Sequence, residues 1–323
     1  MAKPRILLTR RWPEAVEAAA CAEFDATLNH DDRPMDAAAF RAALTEYDAV
    51  LPTVTDKIDA EALSVDAPRT CILANYGVGF SHIDMARATD LGITVTNTPD
   101  VLSACTADIA MTLLLMTARR AGEGEREVRA GEWSGWRPTH LVGKKVTGAV
   151  LGIVGFGRIG QDMARRARHG FGMEIRVFNR SAVPEAQLAE VGARQVAELS
   201  TLLAECDFIS LHCPGGAANA GLIGVAELAS MRDDAILINT ARGEVVDDAA
   251  LIDALNGGVI GGAGLDVFTG EPAIDPGYLS APNTVLLPHL GSATAATREE
   301  MGHRALANVR AFFAGDTPPD QVT

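Results

Sequence analysis

The sequence predicts an α/β protein made of two doubly wound parallel-sheet domains. Short apolar strand-like runs alternate with Ala-rich helical runs along all 323 residues, the pattern of parallel sheets joined by helices. A glycine pattern, Gly155-x-Gly157-x-x-Gly160, lies between an apolar run and a helical run. It sits near mid-chain, which leaves roughly 100 residues ahead of the helical stretch 103–120 for a separate unit of ordinary domain size.

Taken in order, the first part offers strands at 5–9, 49–52, 71–74 and 94–97, with helical stretches such as 13–21 and 36–44 between them. Residues 103–120 read as a long apolar helix, a natural bridge to the second part. That part offers strands at 149–154, 175–178, 208–212, 235–239, 262–266 and 284–287, the six strands of a full Rossmann unit. A helical stretch at 293–313 could return to the first domain. The expected boundaries are therefore 1–100 with 293–323 for one domain and 101–292 for the other. The polar, Pro-containing tail from Asp316 to Thr323 is expected to be mobile.

The glycine pattern has a physical reading in this setting. The first Gly permits a tight turn, the second lets the backbone approach a pyrophosphate, and the third lets helix pack on strand. The helix N-terminus at Arg158, Ile159 and Gly160 then offers its N–H groups to phosphates. Glycine-rich turns are common, and the strand and helix flanks are what favour a dinucleotide site. In such folds an acidic residue about 20 positions on holds the ribose 2′-OH of NAD. Here Asn179-Arg180-Ser181 occupies that place, 19 residues after Gly160. It has no carboxylate to repel a 2′-phosphate, and an Arg and a hydroxyl to bind one. The expected cofactor is NADP(H), with NAD(H) used more weakly. The alternative is an ordinary polar strand end.

Composition narrows the function class. A net charge of −14 argues against non-specific nucleic-acid binding. It also means that an anionic ligand needs local Arg, Lys, His or helix N-termini. The five cysteines show neither C-x-x-C nor metal-type spacing, as expected of small buried residues or free thiols in a reducing compartment. The start of the chain has only a short apolar run at 6–8, a first strand rather than a signal peptide. The longest apolar stretch, near 109–118, is too short to span a bilayer. The expectation is a cytoplasmic protein with no membrane or nucleic-acid partner and no required metal.

In open α/β sheets ligands bind beyond the carboxyl ends of the strands. Those ends here are Gly155, Asn179, His212-Cys213-Pro214, Thr240-Ala241-Arg242, Asp266 and His289. Arg242 could grip a carboxylate with two parallel hydrogen bonds, or be a surface ion-pair residue. His289 could act as general acid/base, or be a core or capping histidine. Glu271 stands 18 residues before His289 and could orient its ring and favour its protonated form, or be a solvated loop residue. The three together in this fold are far more specific than any one.

With these residues in view, the chain resembles the D-isomer-specific 2-hydroxyacid dehydrogenases. The matching stretches are Asn75-Tyr76-Gly77-Val78-Gly79, the 152–160 turn, Leu211-His212-Cys213-Pro214, Ile238-Asn239-Thr240-Ala241-Arg242-Gly243, Gly264-Leu265-Asp266-Val267-Phe268 with Gly270-Glu271-Pro272, and Pro288-His289-Leu290-Gly291-Ser292-Ala293-Thr294. They run in family order over nearly the whole chain.

The resemblance implies a flavodoxin-like substrate domain beside the Rossmann domain, and a catalytic set of Arg242, Glu271 and His289. It implies that the backbone of Val78 and Gly79 holds the substrate carboxylate, together with Arg242, in a site between the domains that closes over the substrate. It also places Thr106 near the cofactor phosphates, Asp266 at the nicotinamide carboxamide, and His212, Cys213, Pro214, Thr240, Ala241, Gly291 and Ser292 along the cofactor. Within the family, Asn179-Arg180-Ser181 and Gly131-Glu132-Trp133-Ser134-Gly135-Trp136-Arg137-Pro138 are most similar to the NADPH-dependent glyoxylate/hydroxypyruvate reductases. That likeness implies a homodimer in which His140 or Trp136 reaches a partner's site, Trp136 being alternatively only an interface residue. Tyr76, Phe80 and His140 are candidates for selecting the substrate side chain. One departure is Gly215-Gly216-Ala217-Ala218-Asn219, where the family usually has a polar loop with Thr.

The function expected is hydride reduction of a small 2-oxoacid to a D-2-hydroxyacid, the proton coming from His289. The alternatives are a dehydrogenase for a larger 2-oxoacid, or a dinucleotide-sensing protein-binding module of the same fold.

Overall fold

A computed structural model describes residues 2–322; Met1 and Thr323, which the sequence assigns to the first domain, lie outside the described residues. Two compact units emerge, Met1–Leu102 with Ala293–Thr323, and Ser103–Ser292. The helix Ser103–Ala118 belongs wholly to the second unit rather than standing between the two.

The first unit holds a five-stranded parallel sheet of β1 (Arg5–Leu8), β2 (Asp25–Thr27), β3 (Ala49–Leu51), β4 (Ile72–Ala74) and β5 (Thr94–Thr96), in the order β2-β1-β3-β4-β5. This is the flavodoxin-like order, with its switch point between β1 and β3. Helix Ala295–Ala314 supplies its own part of this unit's core through Met301, Ala305, Leu306 and Val309.

The second unit holds seven parallel strands, β6 (Val150–Val154), β7 (Glu174–Phe178), β8 (Arg194–Gln195), β9 (Phe208–Leu211), β10 (Ile236–Asn239), β11 (Gly262–Leu265) and β12 (Thr284–Leu286). Their order is β12-β11-β10-β9-β6-β7-β8, a Rossmann sheet whose switch point lies between β6 and β9. The central strands β9, β10 and β11 are buried throughout, as apolar runs covered on both faces must be. Helix Ser103–Ala118 is mostly apolar, with one exposed line at Ala104, Asp108 and Thr112, and is buried at Ala107, Ala110, Leu113 and Leu114, the condition under which such a helix is stable.

The sequence missed β2 and β8. Both are edge strands of mostly exposed residues, so neither carries an apolar run. The expectation of a mobile tail is overturned for the described part, 316–322. Val322 N–H donates to Val95 O at 2.9 Å, Asn97 N–H donates to Asp320 O at 3.2 Å, and Asp320 is buried against Arg304 and Asn308. The tail covers the free edge of β5, and unpaired edges are a liability that proteins cover. Among the described residues no helix is long and apolar enough to cross a membrane.

Candidate active site

The glycine turn after β6 has the shape its spacing predicts. Gly155 adopts φ +91°, and a Cβ there would lie 2.7 Å from Cys213 N. A Cβ on Gly160 would lie 2.3 Å from Gly155 O, whereas one on Gly157 would meet nothing within 4 Å. The first and third glycines are thus required by packing, and the second opens onto free space. Helix Arg158–Phe171 follows directly; the N–H groups of Arg158, Ile159 and Gly160 have no intrahelical acceptor. This fits a pyrophosphate at the helix N-terminus.

At the end of β7 the side chain of Asn179 shapes the turn. Its Oδ1 accepts from Phe156 N–H at 3.1 Å, and its Nδ2 donates to Ser181 O at 3.0 Å and Ser181 Oγ at 3.2 Å. Arg180 is exposed and has no ion-pair partner among the described residues.

Beyond β9, His212 Nε2 meets Ser210 Oγ at 2.8 Å, while Nδ1 is buried without a partner. Burial pushes this imidazole down to about 3, so the ring is neutral. Cys213 follows it and Pro214 O accepts from Asn219 Nδ2 at 2.8 Å. Thr240 Oγ1, beyond β10, is likewise buried and unpartnered. These two buried, unpartnered polar groups, at neighbouring strand ends of one sheet edge, fit the polar groups of a bound cofactor.

Ala241 and Arg242 occupy a turn built by Asn239, whose Oδ1 accepts from Ala241 N–H at 3.0 Å and whose Nδ2 donates to Arg242 O at 2.9 Å. Gly243 next packs so closely that a Cβ would lie 2.0 Å from Phe268 C. That approach sets Arg242 beside the 268–271 loop. Burial lowers the affinity of the Arg242 guanidinium for its proton, and the carboxylates of Glu244 and Glu271 oppose the shift; the group remains a cation.

Glu271 is fixed at both oxygens. Oε1 accepts from Phe268 N–H at 2.8 Å, and Oε2 faces His289 Nδ1 at 2.8 Å. Burial pushes the Glu271 carboxyl up, but His289, the Phe268 amide and Arg242 together hold it below its ordinary value. His289 has φ +57°, a left-handed conformation that costs a β-carbon-bearing residue energy and clusters at functional sites. Its side chain is 33% exposed, leaving Nε2 open to a ligand.

Asp266 is buried, and its carboxylate accepts from Leu290 N–H at 2.6 Å and Gly291 N–H at 2.8 Å. Burial pushes its carboxyl up. Thr106 Oγ1 donates to Gly291 O at 3.2 Å. Asp266 and Thr106 therefore clamp the chain at Gly291, just ahead of Ser292, and so fix the segment that carries His289. In the first unit, the half-buried loop at Val78 and Gly79 follows β4, and the N–H groups of both residues have no acceptor among the described residues.

His140 is engaged within its own chain, Nε2 to Glu127 at 2.8 Å and Nδ1 to Arg137 at 2.9 Å. Trp136 is 83% exposed. Tyr76, by contrast, is buried, its hydroxyl donating to Arg298 O at 2.5 Å, so its phenol is not a free selector.

Sequence reasoning passed over Glu244, Asn239 and Gly243. Glu244 Oε1 accepts from Gly216 N–H at 3.1 Å, and a Cβ on Gly215 would lie 2.3 Å from the same oxygen. The departure at 215–219 thus has a local reason in the packing of Glu244 and Arg242. No spacing rule flags an Asn that folds its own turn.

Residues 111–291 match the family model for the D-isomer specific 2-hydroxyacid dehydrogenase NAD binding domain. The chain belongs to the D-isomer-specific 2-hydroxyacid dehydrogenases. It is 46% identical over 324 residues to a glyoxylate reductase of Thermococcus litoralis, covering 99% of this chain and 97% of that one. It is 39% identical to a glycerate dehydrogenase of Hyphomicrobium methylovorum, covering 98% of each. Among solved structures it is similar to an NADPH-dependent glyoxylate/hydroxypyruvate reductase of Sinorhizobium meliloti in complex with NADP and malonate, with a TM-score of 0.88, 33% identity, and 100% and 97% of the two chains covered. This dehydrogenase is therefore an oxidoreductase whose second unit is a nicotinamide-dinucleotide domain.

Proposed function

We propose that the protein reduces small 2-oxoacids, glyoxylate and hydroxypyruvate, to D-2-hydroxyacids, with NADPH preferred over NADH. The observation that carries this is the Glu271–His289 pair at 2.8 Å with the Arg242 cation beside it, at the carboxyl edge of a nicotinamide-binding sheet. The names of the similar glyoxylate reductases and of the glyoxylate/hydroxypyruvate reductase support the substrate class. Asn179 in place of a carboxylate, with unpaired Arg180 beside it, supports the NADP preference.

When bound, the nicotinamide supplies the hydride. Val78 and Gly79 N–H groups and Arg242 hold the substrate carboxylate. His289 Nε2–H donates a proton to the developing alkoxide, and Glu271 at Nδ1 holds the ring in orientation. Arg242 stabilises the negative charge that develops on oxygen. The open face at Gly157 and the first-turn amides take the pyrophosphate, and Arg180 with Ser181 takes the 2′-phosphate. Neutral His212, Cys213, Pro214, Thr240 and Ala241 line the cofactor, and Asp266, Thr106, Gly291 and Ser292 keep the His289 segment in register with it. The large apolar side chains exposed at Val128, Trp133, Trp136 and Val142, close together in sequence, support a homodimer through this stretch.

Steady-state reduction of a 2-oxoacid panel with NADPH and with NADH tests the proposal. The expected result is turnover of glyoxylate and hydroxypyruvate with a kcat/KM favouring NADPH. Turnover confined to larger 2-oxoacids, or a preference for NADH, would overturn the corresponding part.

A further inference from the structure

The loop at Gly77, Val78 and Gly79 has each of its carbonyls tied down and two amides left over. Gly77 O accepts from Thr98 N–H at 3.1 Å and from Asn75 Nδ2 at 3.0 Å. Val78 O accepts from Asn97 Nδ2 at 2.8 Å, and Gly79 O from Asn75 Nδ2 at 3.0 Å. A trans peptide is planar, and its C=O and the N–H of the next residue point opposite ways. Pinning the Gly77 carbonyl therefore aims the Val78 N–H, and pinning the Val78 carbonyl aims the Gly79 N–H. Successive amides pointing one way make an anion-binding concavity. The two side-chain amides that pin these carbonyls are buried: Asn75 is 0% and Asn97 8% exposed.

Asn97 is itself held by the C-terminal segment. Its N–H donates to Asp320 O at 3.2 Å, and its O accepts from Asn308 Nδ2 at 3.3 Å. Asn308 and Asp320 grip each other twice, Nδ2 to Oδ2 at 3.0 Å and Oδ1 from Asp320 N–H at 3.0 Å. Arg304 makes a two-pronged pair with the Asp320 carboxylate at 2.9 and 2.7 Å. Burying a carboxylate is unfavourable unless it is paired and hydrogen-bonded. Covering the edge of β5 needs only the backbone pairing of the tail, so the buried polar cluster calls for another role. It leads, bond by bond, to the Val78 carbonyl.

We infer that Asn75 and Asn97 are positioning residues that aim the Val78 and Gly79 amides at the substrate carboxylate, and that Asp320 acts through Asn308 to hold Asn97, so the C-terminal segment sets affinity for the carboxylate. The inference rests on the proposed function in taking the anion there to be the substrate's.

The test uses the full chain with Asn97→Ala and Asp320→Asn. Measured are kcat, the KM for glyoxylate and for NADPH, and the inhibition constant of oxalate, a probe carrying carboxylates without a reducible carbonyl. Losing one aimed donor should raise the glyoxylate KM and the oxalate constant together by about tenfold in Asn97→Ala. The more remote Asp320→Asn should raise both by about threefold. In both, the NADPH KM should stay within about twofold, since a general loosening of the fold would not select for the carboxylate. An unchanged oxalate constant, or an NADPH KM rising in step, overturns the inference. Should Asn97→Ala fail to fold, Asp320→Asn decides by the same comparison. Wild-type protein that neither reduces glyoxylate nor responds to oxalate would instead overturn the proposed function itself.

Discussion

The loops that follow β9 and β12 each carry a histidine at the carboxyl edge of the same sheet, His212 directly after β9 and His289 three residues after β12, and their surroundings differ. At the end of β9, His212 is enclosed, one nitrogen on Ser210 and the other facing nothing. Without an anion nearby, burial alone decides, and the ring is held neutral with its proton affinity pushed down to about 3. At the end of β12, His289 sits in a left-handed turn, one nitrogen on the Glu271 carboxylate and the other reaching solvent. The difference is made by partners supplied from elsewhere in the chain. Phe268 N–H fixes Glu271, and Asp266 pins the amides of Leu290 and Gly291. The residue type is shared; the partner at the second nitrogen separates an enclosed ring from the proposed proton donor.

The largest expected effect comes from removing the donor. His289→Ala should lower kcat for glyoxylate reduction by about two to four orders of magnitude, while NADPH binding, read by fluorescence titration, stays near the wild-type level. A mild loss of turnover would put His289 back in the same class as His212. Glu271→Gln should act less severely and in a diagnostic way. Glu271 is held ionised by His289, the Phe268 amide and Arg242, so the wild-type imidazole faces an anion. With a neutral amide there, the ring loses the carboxylate that orients it at Nδ1, and kcat for glyoxylate should fall by about tenfold to a hundredfold while the KM for NADPH stays within about twofold. An unchanged kcat would remove Glu271 from the proposed set.

Away from the two histidines, the end of β7 sharpens the comparison because it too is a strand end whose neighbours decide its role. Asn179 spends its side chain on Phe156 and Ser181, which leaves Arg180 as the group free to meet a 2′-phosphate. Arg180→Ala should raise the KM for NADPH by about tenfold, the value of a charge-assisted contact, and leave the KM for NADH within about twofold. Equal effects on both cofactors would remove the 2′-phosphate assignment.

These contrasts also mark what was legible in the residues. The alternation of runs, the glycine spacing and the strand-end positions of Arg242, Asp266 and His289 are local patterns, and each folds where the pattern places it. The polar edge strands β2 and β8 carry no such pattern, because an edge exposed on one side needs no apolar run. The order of the tail is hidden in the sequence for a related reason. Its composition is that of a loose end, and the groups that bind it, Arg304 and Asn308, sit on a helix whose packing only the fold reveals. His212 and His289 look alike as letters, since a proton affinity depends on burial and on partners far off in sequence.

The smallest effect on turnover, and the sharpest check on the comparison, concerns His212. A ring kept neutral in the folded state, with its proton affinity pushed down to about 3, binds a proton in the unfolded chain first as pH falls. Below the ordinary histidine value near 6.5 the unfolded state therefore holds more protons, and stability falls with pH until the folded ring protonates too. Over that window one such group contributes a slope approaching about 1.4 kcal/mol per pH unit. His212→Gln carries no titrating ring, so its Tm should fall less steeply than wild type between pH 6.5 and pH 4, although losing the Ser210 contact lowers its Tm at pH 7. Acid-labile groups elsewhere act equally on both proteins and cancel in the difference. Parallel Tm curves would mean that His212 is not held neutral. It would then be free to carry charge at the cofactor edge, and the distinction between the two loops would collapse.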